Sequence, residues 1–227
     1  PRAPLLLFER ALSMDLIRAL VVIACIAAVF AIGGAVVRYR SYRSLQALLE
    51  ADELDAFFKK LDGPLTRSAL SPFARERLRF LGFCRKHDQG AMVEQFNGLM
   101  GFNLNDAQRA MLLADGFNGF AQIGDAKRCR RILEEMPRCG MSDRALAAYQ
   151  RHYDLVLAHE PAGYKRKLES VYATLQGVRR GYAAYLLSFA TAPIDSSQSD
   201  SYRQEASRLL GIPQDQLSRR INVCTTV

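Results

Sequence analysis

Residues 19–37 read ALVVIACIAAVFAIGGAVV, nineteen uncharged positions with no polar face. A soluble core helix would keep a polar stripe over that length, so a run that is apolar all round predicts a membrane span. At 1.5 Å per residue it covers about 28 Å, close to the roughly 30 Å hydrocarbon layer of a bilayer. Arg18 bounds it on one side and Arg38, Arg40 and Arg43 on the other, which leaves residues 1–18 as a separate N-terminal segment. A cleaved signal peptide is the rival reading, since Gly33, Gly34 and Ala35 would suit a cleavage site. The run is longer than the apolar region of most such peptides, and three arginines directly behind it oppose export. An uncleaved anchor is therefore expected.

Beyond residue 42 the pattern becomes that of amphipathic helices. In RERLRFLGFCRK, residues 75–86, Leu78, Leu81, Phe83 and Cys84 fall on or near one face. In DRALAAYQRHYDLVLA, residues 143–158, Leu146, Tyr149, Tyr153 and Val156 do the same. No run shows the sustained alternation of a strand. Turn chemistry falls at Asp62-Gly63-Pro64, Asp88-Gln89-Gly90, Gly124-Asp125, Cys139-Gly140 and Pro161-Ala162-Gly163. These breaks place second helices near Asp52, Asp88, Asp125 and Pro161, at steps of 36, 37 and 36 residues. An apolar pair recurs inside them: Phe58 and Leu61, Phe96 and Leu99, Leu133 and Met136, Leu168 and Val171. A helical hairpin of this size cannot bury its apolar face alone, so stacking into an α-solenoid is expected. Residues 175–192 predict one more helix, with Tyr182, Tyr185, Leu186 and Phe189 capping the last hairpin and closing a domain over 42–192. PIDSSQSDS, residues 193–201, reads as a linker with little to bury, and 202–227 as a C-terminal helical hairpin.

MLLADGFNGFAQIGDAKRCRRILEEM, residues 111–136, resembles a tetratricopeptide repeat. Leu113, Phe117 and Phe120 take its first-helix apolar positions and Gly124-Asp125 its turn. Cys129 takes the small second-helix position, and Leu133 and Met136 the closing ones. Leu81-Gly82 echoes the pattern one unit earlier. The step exceeds the family's 34 residues, Pro137 comes early, and the units at 42–65 and 143–175 match only in apolar rhythm. The resemblance implies an all-α solenoid of tetratricopeptide-like hairpins over about 42–175, with protein or peptide binding in a groove. It assigns no binding residues.

Charge adds a membrane-facing asymmetry. The chain carries +8 overall. Residues 1–40 hold +3, 41–137 hold +1, 138–190 hold +4 and 191–227 balance at zero. Excess beside the span suits contact with anionic lipid and lacks the continuous basic stripe of a dedicated nucleic-acid binder. Arg outnumbers Lys 25 to 6, a bias that accompanies GC-rich genomes and points to a bacterial source. The five cysteines are odd in number and include no CxxC pair, which fits a reducing compartment rather than a disulfide or zinc framework. Cys84 and Cys129 read as small core residues. Counted over the whole N-terminus, Arg2, Arg10 and Arg18 match Arg38, Arg40 and Arg43; if translation starts at Met14, only Arg18 precedes the span. The large domain is then expected in the cytoplasm, below a single-pass anchor. Ala27, Ala31 and Ala35 form a small-residue ridge through which two spans could pair as a homodimer.

The candidate binding residues are cationic: Lys127, Arg128, Arg130 and Arg131 in one cluster, and Lys165, Arg166 and Lys167, near Arg179 and Arg180, in another. They would meet an acidic partner or lipid phosphate, against the plainer reading of solvated helix faces. Glu134 and Glu135 partly neutralise the first cluster. His152, Asp154, His159 and Glu160 invite a metal reading, but no third ligand is spaced to join His152 and His159 on their shared face, so no metal is expected. No phosphate loop, GxSxG or HExxH motif occurs; neither a cofactor nor enzymatic activity is expected. Residues 204–221 resemble a DNA-binding helix-turn-helix, with a second helix from about Pro213 to Asn222 presenting Gln214, Gln216, Arg219 and Arg220. The terminal CTTV has the form of a PDZ-binding tail, or of a prenylation box with Thr in place of aliphatic residues, and is taken as coincidence. The expected function is a membrane-anchored helical-repeat adaptor or scaffold with a protein or peptide partner. The alternatives are a membrane-bound DNA-binding regulator and a structural subunit of a membrane complex.

Overall fold

A computed structural model describes residues 3–161 and 163–224, with side-chain surroundings from Ala24 onward. The tail residues Thr225, Thr226 and Val227, and the middle residue of the Pro161-Ala162-Gly163 turn, lie outside the described residues. All regular structure among the described residues is helical. The chain divides into two compact units, residues 1–75 and 76–227.

The first unit is dominated by α1, Ala3–Glu50, one unbroken helix of 48 residues and so about 72 Å long. The expected boundaries at 18/19 and near residue 40 are absent. Nothing in the sequence there breaks the hydrogen-bond ladder, because Arg18, Arg38 and Arg40 are good helix formers and no proline intervenes. Every residue from Ala24 to Arg40 is exposed; Phe30 is 77 % and Val29 70 % accessible. Residues 24–50 make a helix long and apolar enough to cross a membrane. The helix ends where Asp52 turns left-handed, at φ 61°. α2 (Leu54–Leu61) and α3 (Pro64–Ala69) then fold back against it. Leu45, Phe57 and Leu61 are fully buried.

The second unit takes in most of α4 (Pro72–Lys86), then α5 (Gln89–Met100), α6 (Asp106–Gln122), α7 (Ala126–Glu135) and α8 (Asp143–His152). Side-chain caps start several of these helices. Asp88, Asn105, Asp125 and Ser142 each accept a hydrogen bond from a first-turn amide, worth roughly 1 kcal/mol apiece. Phe80, Phe96 and Phe120 form one aromatic cluster, with ring centroids 5.4 to 6.2 Å apart. The glycines of α6 allow that approach. A Cβ on Gly116 would sit 2.3 Å from the Phe96 ring, and one on Gly119 would sit 2.5 Å from Cys84 Sγ. Gly119→Ala is therefore expected to destabilise the unit by about 1–3 kcal/mol of overpacking, less up to about 1 kcal/mol from better helix propensity. The urea midpoint of the purified chain measures the net loss.

A π-helical turn, Tyr153–Leu157, continues α8. α9 (Tyr164–Tyr172), α10 (Gly177–Thr191) and α11 (Ser196–Leu210) follow. Three expectations are corrected here. The stretch read as a linker, 193–201, is helical from Ser196, capped by Asp195. The helix read as a terminal cap is the centre of this half: Gly181 through Ser188 are all buried. α11 covers it closely because Gly181 offers no side chain against Leu209 and Leu210, where a Cβ would meet atoms at 2.9–3.0 Å. Ser199, counted as a linker residue, is buried and donates its hydroxyl to the Ser188 carbonyl at 2.7 Å. The second arm of the expected C-terminal hairpin is shorter than read. It consists of a 3-10 turn, Gln214–Gln216, and α12, Leu217–Arg220. Leu217 and Ile221 enter the core, the Val223 amide donates to Asn118 Oδ1 at 2.9 Å, and Gln122 bonds Asn222 at 3.0 Å. This tail is thereby fastened to α6.

Candidate functional site

One surface feature of the second unit lies along α8. Two hollows abut there, and Gln150 lines both. One, of about 390 Å³, runs between α7 and α8 and is lined by Arg130, Leu133, Glu134, Tyr153, Asp154 and Glu160. The other, of about 400 Å³, runs between α8 and α9 and is lined by Ala147, Arg151, Tyr164, Lys167, Leu168 and Val171. Volumes of this size accommodate a few side chains of a bound segment.

Asp154 organises the ridge between the hollows. Its Oδ1 accepts from Gln150 Nε2 at 2.7 Å and its Oδ2 from the Tyr164 hydroxyl at 2.5 Å. Burial, and then this carboxylate, push the Tyr164 phenol up to about 12, so it stays a neutral donor at physiological pH. The α9 hollow is mostly aliphatic at its floor and cationic at its edge. Leu168 is buried there, whereas Val171, paired with it as a core position from sequence, is 41 % exposed. The helix turns Val171 outward to widen the groove instead of closing the core.

The two predicted cationic clusters are dispersed. Lys127 is exposed, and Arg128 turns back to pair with Asp125 and lies 5.7 Å over the Phe120 ring. Arg130 reaches the α7–α8 hollow and sits 3.6 Å from Glu134. Arg131 lines a smaller hollow, of about 270 Å³, with Phe96 and Arg128. Lys165 bonds Gln198 at 3.3 Å and lies 3.9 Å from Glu169. Arg166 is exposed, and Lys167 lines the α8–α9 hollow. Arg180 is engaged by Glu205 at 2.8 Å and stacks on Tyr172 at 4.6 Å. Of the seven candidates, Arg130 and Lys167 therefore flank the double groove, on opposite sides of α8. Gln150, Arg151, Asp154 and Tyr164 were not singled out from sequence as groove residues, because none belongs to a charge run. The four-residue spacing of Gln150 and Asp154 was their available signal.

Other sequence candidates are placed elsewhere. His152 is buried with Nδ1 2.9 Å from the Tyr182 hydroxyl, and His159 is exposed. Cys84 and Cys129 are buried, and burial raises both thiols well above their ordinary range. The helix expected from Pro213 to Asn222 is α12, a single turn, in which Leu217 is held in the core, as is Ile221 just beyond it. A recognition helix needs an exposed face several residues long, and this segment buries Leu217 and Ile221 in the core with Tyr182, Tyr185 and Leu186 instead. No family model, curated protein or solved structure matches this chain.

Proposed function

We propose that this chain is a membrane-anchored helical adaptor, and that the double groove along α8 receives an extended or helical segment of a protein partner. The observation that carries it is the groove itself, in which aliphatic positions Ala147, Leu168 and Val171 lie beside Arg151 and Lys167. Apolar anchors supply affinity in such a surface and cations orient an acidic segment. The helices that begin at Leu54, Gln89, Ala126 and Tyr164 lie 35, 37 and 38 residues apart. That rhythm supports the tetratricopeptide-like reading, in which stacked hairpins present a peptide groove. The exposed apolar stretch of α1 supports the single-pass anchor.

A photo-crosslinking residue at Gln150, in the full chain expressed in cells, is expected to give a discrete adduct. Leu168→Glu, which places charge on the groove floor, should abolish it. A crosslinker at Ser68 should give no such adduct. Adducts at both positions, or an adduct indifferent to Leu168→Glu, would remove the groove reading. The intact mass of the membrane-extracted chain tests the anchor separately: loss of the residues before Ala35 would make α1 a signal peptide.

A further inference from the structure

We infer that the first unit carries a binding site for the phosphate headgroup of an anionic phospholipid, built between Arg40 of α1 and Lys60 of α2; this rests on the anchor reading above. The two cations line one hollow of about 420 Å³, together with Ser41 and Ser44 of α1 and Pro64 and Leu65 of α3. Among the described residues neither Arg40 nor Lys60 forms an ion pair. The chain thus brings two positive charges, far apart in sequence, to one concavity and offers no carboxylate in its lining.

Depth identifies the ligand. The apolar run ends at Val37. α1 is continuous through this region, so Arg40 lies about 4.5 Å beyond that point along the axis and Ser44 about 10 Å. The headgroup layer on each side of a bilayer is about 5–8 Å thick. The hollow therefore opens at the level where lipid phosphates lie. Leu65, on its rim, is 75 % exposed, an accessibility that water disfavours for an aliphatic side chain but that suits the boundary between headgroups and acyl chains. Tyr39, 62 % exposed, stands at the same level, where amphipathic rings are favoured. Topogenic arginines beside a span need only Arg38, Arg40 and Arg43. The return of Lys60 and Leu65 to that level is what makes a pocket rather than a charged collar. A soluble phosphate shares the chemistry, but it would have no use for Leu65.

The test uses the full chain, isolated from cells with its membrane and exchanged into nanodiscs of phosphatidylcholine with about one-fifth phosphatidylglycerol, then examined by native mass spectrometry. Each surface cation is worth about fivefold in anionic-lipid affinity. The Arg40→Gln/Lys60→Gln variant is therefore expected to retain phosphatidylglycerol at least about fivefold less than the unmodified chain. Arg138→Gln/Arg208→Gln, at exposed positions outside both hollows, should retain it unchanged. Both pairs are on exposed positions, and circular dichroism verifies that helicity is kept. Equal retention by the first variant, or equal loss by the second, overturns the inference. Displacement by inorganic phosphate in the buffer overturns the lipid assignment in favour of a soluble phosphate. The same spectrum gives the intact mass: a chain shortened at 33–35 overturns the anchor reading and this site with it, whereas a full-length chain without selective lipid overturns this site alone.

Discussion

Acidification from pH 7 to pH 4 is expected to remove about 3 kcal/mol of folding stability through His152 alone. The imidazole is 3 % exposed and lies among Phe117, Tyr182 and Tyr185. Burial lowers its pKa to about 4, from an ordinary 6.5. The sign follows from proton counting. Between those two values the unfolded chain binds a proton that the folded chain refuses, so stability falls as pH falls. Above 6.5 this contribution does not vary, and below 4 both states are protonated and the loss is complete. Asp115 works in the opposite direction, because burial raises its carboxyl more than Arg77 lowers it. The measurement is therefore a difference: urea unfolding of the parent and of His152→Gln at a series of pH values. The parent should lose more stability than the variant through the window from 6.5 to 4. Parallel curves would show that His152 takes up its proton without unfolding. His152 also holds the hydroxyl of Tyr182, which in turn meets the backbone of Cys224. Acid should accordingly release the tail from α6 early, and amide exchange at Val223 would report it.

Phe117→Ala should cost about 3–5 kcal/mol, the usual range for emptying a fully buried aromatic site. Phe117 has no exposed surface, packs edge-on to Tyr149 at 5.1 Å, and stands 6.0 Å from His152. The aromatic cluster of α4, α5 and α6 adjoins it on the same helix through Phe120. The ring thus links the two halves of the second unit, and a cavity there cannot be filled by one neighbour moving. Domains are commonly stable by only about 5–15 kcal/mol, so the variant is expected to unfold near physiological temperature. Met111→Ala, on the same helix but 45 % exposed, should change stability by less than about 1 kcal/mol. Thermal unfolding of the two variants separates them, and similar melting temperatures would mean that the α6 core is not the mainstay of this unit.

The legible parts of the candidate site were single residues, and the illegible part was their arrangement. Arg130 and Lys167 could be picked from charge runs, but five neighbours picked on the same ground are placed elsewhere. Lys127 and Arg166 are simply exposed, Arg128 is spent on the N-cap of its own helix, Arg131 lines a different hollow, and Lys165 is held by Gln198. A run of like charges is a fact about composition, while a groove is defined by which faces of α7, α8 and α9 oppose one another. The Arg40 and Lys60 pocket has the same character: twenty residues separate the cations, and only the fold-back of α2 and α3 makes them neighbours.

The sequence by itself determined the helical class, the long apolar helix near the N-terminus, and the starts of α5 and α7 at Asp88 and Asp125. These features depend on local causes: hydrophobic period, capping side chains, and the length of an uncharged run. The tertiary structure decided that Ser196–Ser201 would be helix and that α10 would be central rather than terminal. In each case the deciding interaction is distant or absent from any local pattern. A serine-rich stretch gains its helix through Ser199, which bonds Ser188, and through the later turns of the same helix, where Leu209 and Leu210 cover Gly181; Val171 faces the groove against α8 rather than the core. Local chemistry proposes where helices begin and end, but burial by residues far along the chain selects which of their faces are core and which are left to meet a partner.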